Sequence, residues 1–201
     1  MTTIVKAVLS ALTIILAQAV PTNADLLEGD RGAYQHRDFA TTKIIWRPLA
    51  GERHGDISTL LARSYKSVES DFQDHAAATR WYREAGNQGH ARAQYNLGDM
   101  YKNCRGVRQS YVEAAKWYRK AADQGFAAAQ FFLGVMYDGG HGVSRNYVEA
   151  AKWYRKAADQ GYADAQFGMG VMSATGEGVR RNLVLAYMWF DLAAATYTDL
   201  A

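Results

Sequence analysis

The chain has 201 residues, of which 49% are hydrophobic and 21% are charged, and its formal net charge is +3. This balance is typical of a soluble globular protein and excludes a disordered chain. Only two prolines occur, Pro21 and Pro48, and alanine is abundant while β-branched residues are scattered, which excludes an all-β fold. The small and evenly spread charge argues against a nucleic-acid partner.

The first 24 residues have the pattern of a secretory signal peptide. Lys6 precedes an uncharged stretch at residues 7–20, which is short for a bilayer span because a span needs about 20 residues. Cleavage after Ala24 would leave a polar start at Asp25. We therefore expect an exported protein, periplasmic or secreted, with no stable membrane insertion after cleavage. An uncleaved anchor is the alternative.

A period of 36 residues governs the rest of the chain. Tryptophan recurs at this interval at positions 81, 117, 153 and 189. Repetition of this kind predicts a solenoid, in which each unit packs only on its neighbours. We divide the chain into capping helices at 25–53, a degenerate repeat at 54–89, further repeats at 90–125, 126–161 and 162–197, and a tail at 198–201.

Each period contains two blocks with helical spacing. The first reads ARAQYNLGDMY from Ala91, and its recurring columns are separated by three, three, one and three residues, as on one stripe of an α-helix. The second block reads YVEAAKWYRKAADQG from Tyr111 and recurs unchanged from Tyr147. Gln-Gly pairs predict short turns with glycine as a helix C-cap. Small stripe residues such as Gly98 predict close approach of paired helices.

The succession A-x-A-Q-x-x-L-G-x-M-Y, then G-V, then Y-x-E-A-A-K-W-Y-R-K-A-A-D-Q-G resembles the Sel-like repeat family, a relative of the tetratricopeptide repeats. The resemblance covers residues 38–197 and is clearest in 75–195. It implies an all-α fold, an α/α solenoid of helix-turn-helix repeats. It also implies a protein-binding scaffold or adaptor, similar to short exported members of Gram-negative bacteria. The final helix, with Leu183, Tyr187 and Met188 in altered columns, is expected to be a cap.

By resemblance to tetratricopeptide arrays, the first helix of each pair lines the concave surface. Tyr95, Phe131 and Phe167 form an aromatic column there, which either anchors a partner peptide or packs between adjacent helices. Arg92, Lys102 and neighbouring acids would set the charge preference. The predicted protein-binding surface comprises Asp56, Thr59, Arg63, Arg92, Tyr95, Asp99, Lys102, Phe131, Val135, Asp138, Asp164, Phe167 and Val171.

The sequence gives little support to catalysis, metal binding or a cofactor. The single cysteine, Cys104, excludes an intrachain disulfide and a cysteine-based zinc site. No S-x-x-K or G-x-S-x-G motif occurs. We predict no catalytic residues, no metal and no cofactor. The alternative function is an envelope protein that binds or hydrolyses β-lactams or cell-wall material. This is reported for cysteine-rich relatives, but those carry a cysteine pair in each repeat.

Overall fold

The computed structural model describes residues 75–198 and, ahead of them, Thr59, Ala62 and Arg63, which have helical backbone. Regular structure in this part of the chain is entirely helical, so the all-α prediction is confirmed. The seven helices of residues 75–198 are α1 (His75–Asn87), α2 (Ala91–Lys102), α3 (Tyr111–Asp123), α4 (Ala127–Gly139), α5 (Tyr147–Ala158), α6 (Ala163–Thr175) and α7 (Leu183–Thr198).

Several predicted segments lie outside the described residues. They are the signal peptide at 1–24, the capping helices at 25–53, most of the degenerate repeat before residue 75, and the tail beyond residue 198. The described helices belong to one of the two compact units of the chain, Trp46–Ala201.

Each helix packs on the next one along the chain. The contacts are most extensive within the pairs α2 with α3, α4 with α5, and α6 with α7, and they are less extensive between pairs. The first predicted block begins α2 at Ala91, and the second begins α3 at Tyr111. Sequential packing of helix pairs confirms the predicted α/α solenoid.

The second helix of each pair has defined ends, as α5 illustrates. The Asn146 side chain accepts a hydrogen bond of 3.1 Å from the N–H of Glu149, a side-chain N-cap. Beyond the helix, Gly161 has φ 79°, and the N–H of Tyr162 donates to the carbonyl of Ala157 at 3.1 Å. Because the left-handed region suits glycine, the predicted Gln-Gly C-cap is confirmed here.

Stripe glycines bring the two helices of a pair close together. A Cβ placed on Gly134 would lie only 2.7 Å from the ring of Tyr154, and one on Gly170 would lie 2.5 Å from the ring of Phe190. Both distances are well inside van der Waals contact. The aromatic rings of the second helix therefore rest on the backbone of the first, and the predicted close approach is confirmed.

A buried glutamine in the first helix of each pair joins consecutive repeats. The Nε2 of Gln130 donates to the carbonyl of Ala122 at 3.1 Å, and its Oε1 accepts from the Nε2 of Gln160 at 2.7 Å. Gln94 and Gln166 make corresponding contacts in the neighbouring repeats. Because buried amides need partners, these bonds fix the register of one repeat on the next.

Helix α7 differs from the earlier second helices of the pairs. Val184 and Tyr187 are each 73% exposed, and Met188 and Leu192 are exposed at positions that lysines hold in α3 and α5. A cap of a solenoid is expected to carry a polar outer face. The outer face of α7 is apolar instead.

Candidate functional site

The predicted protein-binding residues on α2, α4 and α6 differ widely in exposure. Arg92 on α2 and Asp164 on α6 are exposed, as is Arg63 ahead of residue 75. Thr59 is buried, and Asp56 lies outside the described residues. Exposure also varies along the column of Tyr95, Phe131 and Phe167, of which only Phe167 is exposed.

Tyr95 on α2 packs inside the solenoid. Its half-buried ring lies 5.8 Å from the ring of Tyr118, 5.3 Å from that of Phe126 and 5.9 Å from that of Phe132, measured between centroids. Burial, with a smaller effect of the Asp99 charge, raises the pKa of Tyr95 to about 12. Tyr95 therefore acts as a neutral packing residue between helices.

The polar residues of α2 also have partners within the chain. The Nζ of Lys102 lies 4.2 Å from the centroid of the Phe132 ring, a cation–π contact. Asp99 accepts a hydrogen bond of 2.6 Å from the Nδ2 of Asn103 and lies 3.8 Å from a guanidinium nitrogen of Arg105. Only Arg92, among the predicted residues of α2, is exposed.

Phe131 on α4 is also largely used in packing. Its half-buried ring lies 5.2 Å from that of Phe132, 5.7 Å from that of Tyr154 and 5.3 Å from that of Tyr162. Val135, one turn further along α4, packs against the same cluster of buried residues as Phe131, which includes Tyr154. In the first two repeats of the column, the structure thus places the aromatic rings between adjacent helices.

Phe167 on α6 is exposed. Its side chain is 53% exposed, and its ring contacts that of Phe190 at 5.3 Å. Val171, one turn later on the same stripe of α6, is 37% exposed. These two residues present an apolar surface that the equivalent residues of α2 and α4 do not.

Five of the predicted residues meet around one pocket of about 330 Å³, hereafter the α6 pocket: Phe131, Asp138, Asp164, Phe167 and Val171. Four more residues complete its lining and were not predicted: Tyr154, Gly168, Met172 and Glu177. The one feature of the sequence that could have indicated them is Gly168, a glycine at the position where the preceding repeat has Phe132. The other predicted residues that the structure describes are not among its lining: Thr59, Arg63, Arg92, Tyr95, Asp99, Lys102 and Val135.

The α6 pocket combines apolar walls with acidic groups. Its charged lining residues are Asp138, Asp164 and Glu177, and no basic side chain lines it. The hydroxyl of Tyr154 donates to Asp138 Oδ2 at 3.4 Å, and the hydroxyl of Tyr197 donates to Asp164. Burial, the Asp138 charge and this hydrogen bond all raise the pKa of Tyr154, so its hydroxyl stays protonated. A ligand group that is both apolar and cationic suits this lining.

Within the described part of the chain, no group of three or more His, Cys, Asp or Glu side chains is placed to hold a metal ion. None of the described helices is long and apolar enough to cross a membrane. The thiol of Cys104 is exposed in the loop after α2. None of these features adds a group to the α6 pocket.

Comparison with known proteins gives the following similarities. The family model of the Sel1 repeat matches residues 69–90, 91–126, 127–162 and 163–195. The crystal structure of a protective antigen of uropathogenic Escherichia coli with an SLR fold is 38% identical, with a TM-score of 0.72, covering 78% of this chain and 33% of that chain. This chain thus spans about a third of that antigen. A Sel1 repeat protein of Oxalobacter formigenes is 30% identical, with a TM-score of 0.74, covering 83% and 69% of the two chains. No curated protein matches.

Proposed function

Because the chain belongs to the Sel1 repeat family, we propose that it is a scaffold without catalysis of its own. It binds a segment of a partner protein on the first helices of its repeats. The observation that carries this proposal is the α6 pocket, where exposed Phe167 and Val171 stand beside three carboxylates. An apolar anchor in a pocket with charge complementarity around it is the usual form of a binding hot spot.

The acidic lining favours one class of partner segment. The pocket is lined by three carboxylates, those of Asp138, Asp164 and Glu177, and its lining residues include no basic side chain. A segment that carries Lys or Arg would be attracted to this end of the solenoid, and an acidic segment would be repelled. We therefore propose that the partner segment is basic.

We propose that binding takes place in the bacterial envelope or outside the cell. The support is the apolar stretch at residues 7–20 behind Lys6, with small residues up to Ala24. Expression of the full chain in a Gram-negative host, followed by intact mass measurement of the protein in the periplasmic fraction, is expected to give a species that begins at Asp25. Retention in the cytoplasm at full mass would contradict export.

A peptide selection tests the binding function. Random peptides displayed on phage are selected on the immobilised full chain, and the enriched sequences are synthesised and titrated. We expect enrichment of Lys and Arg. The variant Phe167→Ala with Val171→Ala is expected to weaken binding by about tenfold or more, because truncation of hot-spot anchors commonly costs 2 kcal/mol or more, roughly thirtyfold.

A matched control is available on α7. Met188 and Leu192 are exposed apolar side chains outside the pocket, so Met188→Ala with Leu192→Ala removes a comparable apolar surface. This control variant is expected to bind the selected peptides like the parent chain. Enrichment of no sequence class, or binding that only the α7 variant weakens, would contradict the proposed function.

A further inference from the structure

One repeat earlier, an aromatic side chain occupies the place that the α6 pocket leaves open. The Phe132 ring stacks on Tyr118 with 5.5 Å between centroids and an interplanar angle of 15°. It also contacts the rings of Tyr95, at 5.9 Å, and Phe131, at 5.2 Å. The chain itself therefore fills this interface between α2, α3 and α4.

A shift of 36 residues gives the corresponding positions at the next interface. Tyr118 becomes Tyr154, and Phe132 becomes Gly168. A Cβ on Gly168 would lie 3.4 Å from the Tyr154 ring, an ordinary contact. A side chain at position 168 of α6 would therefore have room to lie over the Tyr154 ring. Gly168 has no side chain, so this space is not filled by the helix. The α6 pocket of about 330 Å³ is found at this place.

The positive charge at the filled interface is also replaced. The Nζ of Lys102 lies over the Phe132 ring at 4.2 Å, whereas the equivalent position of the next repeat is Asp138, a pocket residue. Asp164 and Glu177 add further acidic groups. The second interface thus lacks both the ring and the cation that complete the first, and it carries carboxylates that would attract a cation.

We propose that the α6 pocket receives an aromatic side chain from a partner segment in which a Lys or Arg is adjacent to the aromatic residue. The partner's ring lies over Tyr154, as Phe132 lies over Tyr118 one repeat earlier. The partner's cation faces the carboxylates of Asp138, Asp164 and Glu177. This inference rests on the proposed function and specifies the partner segment. A basic segment without an aromatic residue would meet the carboxylates but leave the ring-shaped space empty.

Three short peptides separate the ring from the charge. Acetylated and amidated Lys-Phe-Lys, Lys-Ala-Lys and Glu-Phe-Glu are titrated into the isotope-labelled full chain, and amide chemical shifts are followed by nuclear magnetic resonance. Lys-Phe-Lys is expected to bind about tenfold more tightly than Lys-Ala-Lys, which has no ring to bury, and about tenfold more tightly than Glu-Phe-Glu, which the carboxylates of the pocket repel. The largest shifts are expected at Gly168 and Val171.

Filling the pocket from within gives the decisive variant. Gly168→Phe restores the side chain present at Phe132 and is expected to abolish binding of Lys-Phe-Lys. Met188→Phe, the matched control, adds a phenyl ring on α7 outside the pocket and is expected to keep binding within about twofold. Both are checked for unchanged helicity by circular dichroism. Asp138→Lys, which copies Lys102, is a second variant on another helix and is expected to weaken Lys-Phe-Lys binding at least roughly tenfold.

The outcomes distinguish this inference from the proposed function. Equal affinity for Lys-Phe-Lys and Lys-Ala-Lys, or undiminished binding to folded Gly168→Phe, would overturn the aromatic occupant. Peptides from the phage selection that still lose binding with Phe167→Ala and Val171→Ala would then leave the scaffold function standing. If Gly168→Phe does not fold, Asp138→Lys decides, and unchanged binding to that variant overturns the inference.

Discussion

Cys104 shows how a single residue can depart from the repeat. Among the described residues it is the one non-glycine residue with a left-handed backbone, at φ 56°. The next two repeats have Gly140 and Gly176 at the same position, with φ 71° and 87°. A Cβ is unfavourable in this region, by about 1–2 kcal/mol. Aligning the repeats shows that Cys104 stands where the next two repeats have glycine. Only the structure shows that the backbone at this position is left-handed.

We predict that Cys104→Gly stabilises the chain. Relief of the left-handed strain outweighs the greater flexibility of glycine in the unfolded state, and the net gain is about 0.5–1 kcal/mol. The free energy of unfolding is measured by urea denaturation under reducing conditions. Cys104→Ala is the control, because it removes the thiol but keeps a Cβ, and it is expected to show no gain. Equal stability of the two variants would refute the strain.

The buried tyrosines predict how stability depends on pH. Burial raises the pKa of Tyr95 to about 12 and raises the pKa values of Tyr118 and Tyr154 as well, from an ordinary value of 10.0. The folded chain therefore holds these protons more tightly than the unfolded chain. Their contribution to stability is complete below pH 10 and is lost as the pH rises through the folded-state values.

We therefore expect the free energy of unfolding to fall steadily above pH 10, with tyrosinate absorbance appearing together with unfolding. Denaturant titrations at a series of alkaline pH values measure this fall. Tyr118→Phe removes one of the groups and is expected to reduce the slope of stability against pH. A slope that is flat from pH 10 to about 12 in the parent chain would contradict the burial of these hydroxyls.

At the scale of the helices, the sequence predicted most of what the structure contains. Block boundaries at Ala91 and Tyr111 coincide with helix starts, because the apolar spacing and the capping residues are local signals. The bonds made by Gln94, Gln130 and Gln166 were not predicted. Their partners lie on the preceding helix and on the following helix or, as for Gln124 and Gln160, in the turn after it, so the pattern within one block does not reveal them.

We predict that Gln130→Ala costs about 1–3 kcal/mol of the free energy of unfolding, because it removes two buried hydrogen bonds, to the carbonyl of Ala122 and from the Nε2 of Gln160. Gln88→Ala is the control. Gln88 bonds to Glu84 on the surface, so its removal is expected to change stability by less than about 0.5 kcal/mol. Both values come from urea unfolding monitored by circular dichroism. An equal loss of unfolding free energy in the two variants would contradict the conclusion that Gln130 stabilises the contact between repeats.

At the scale of the whole solenoid, near-identical repeats do not imply identical surfaces. The period and the helix pairs follow from spacing that any copy shows. The location of the α6 pocket does not follow from this spacing, because it depends on the residue directly after Phe131 or Phe167. Phe132 covers Tyr118, whereas Gly168 leaves space beside Tyr154. The predicted surface was spread over the first helices of four repeats, and the structure brings five of its residues, from α4 and α6, together around one pocket.

The apolar face of α7 is the competing surface for any aromatic ligand, because Tyr187, Met188 and Leu192 are exposed there. Intermolecular nuclear Overhauser effects between the phenyl protons of bound Lys-Phe-Lys and the methyl groups of the full chain distinguish the two surfaces. Binding in the α6 pocket predicts contacts with the methyls of Val171 and Met172. Contacts confined to Met188 and Leu192 would contradict it.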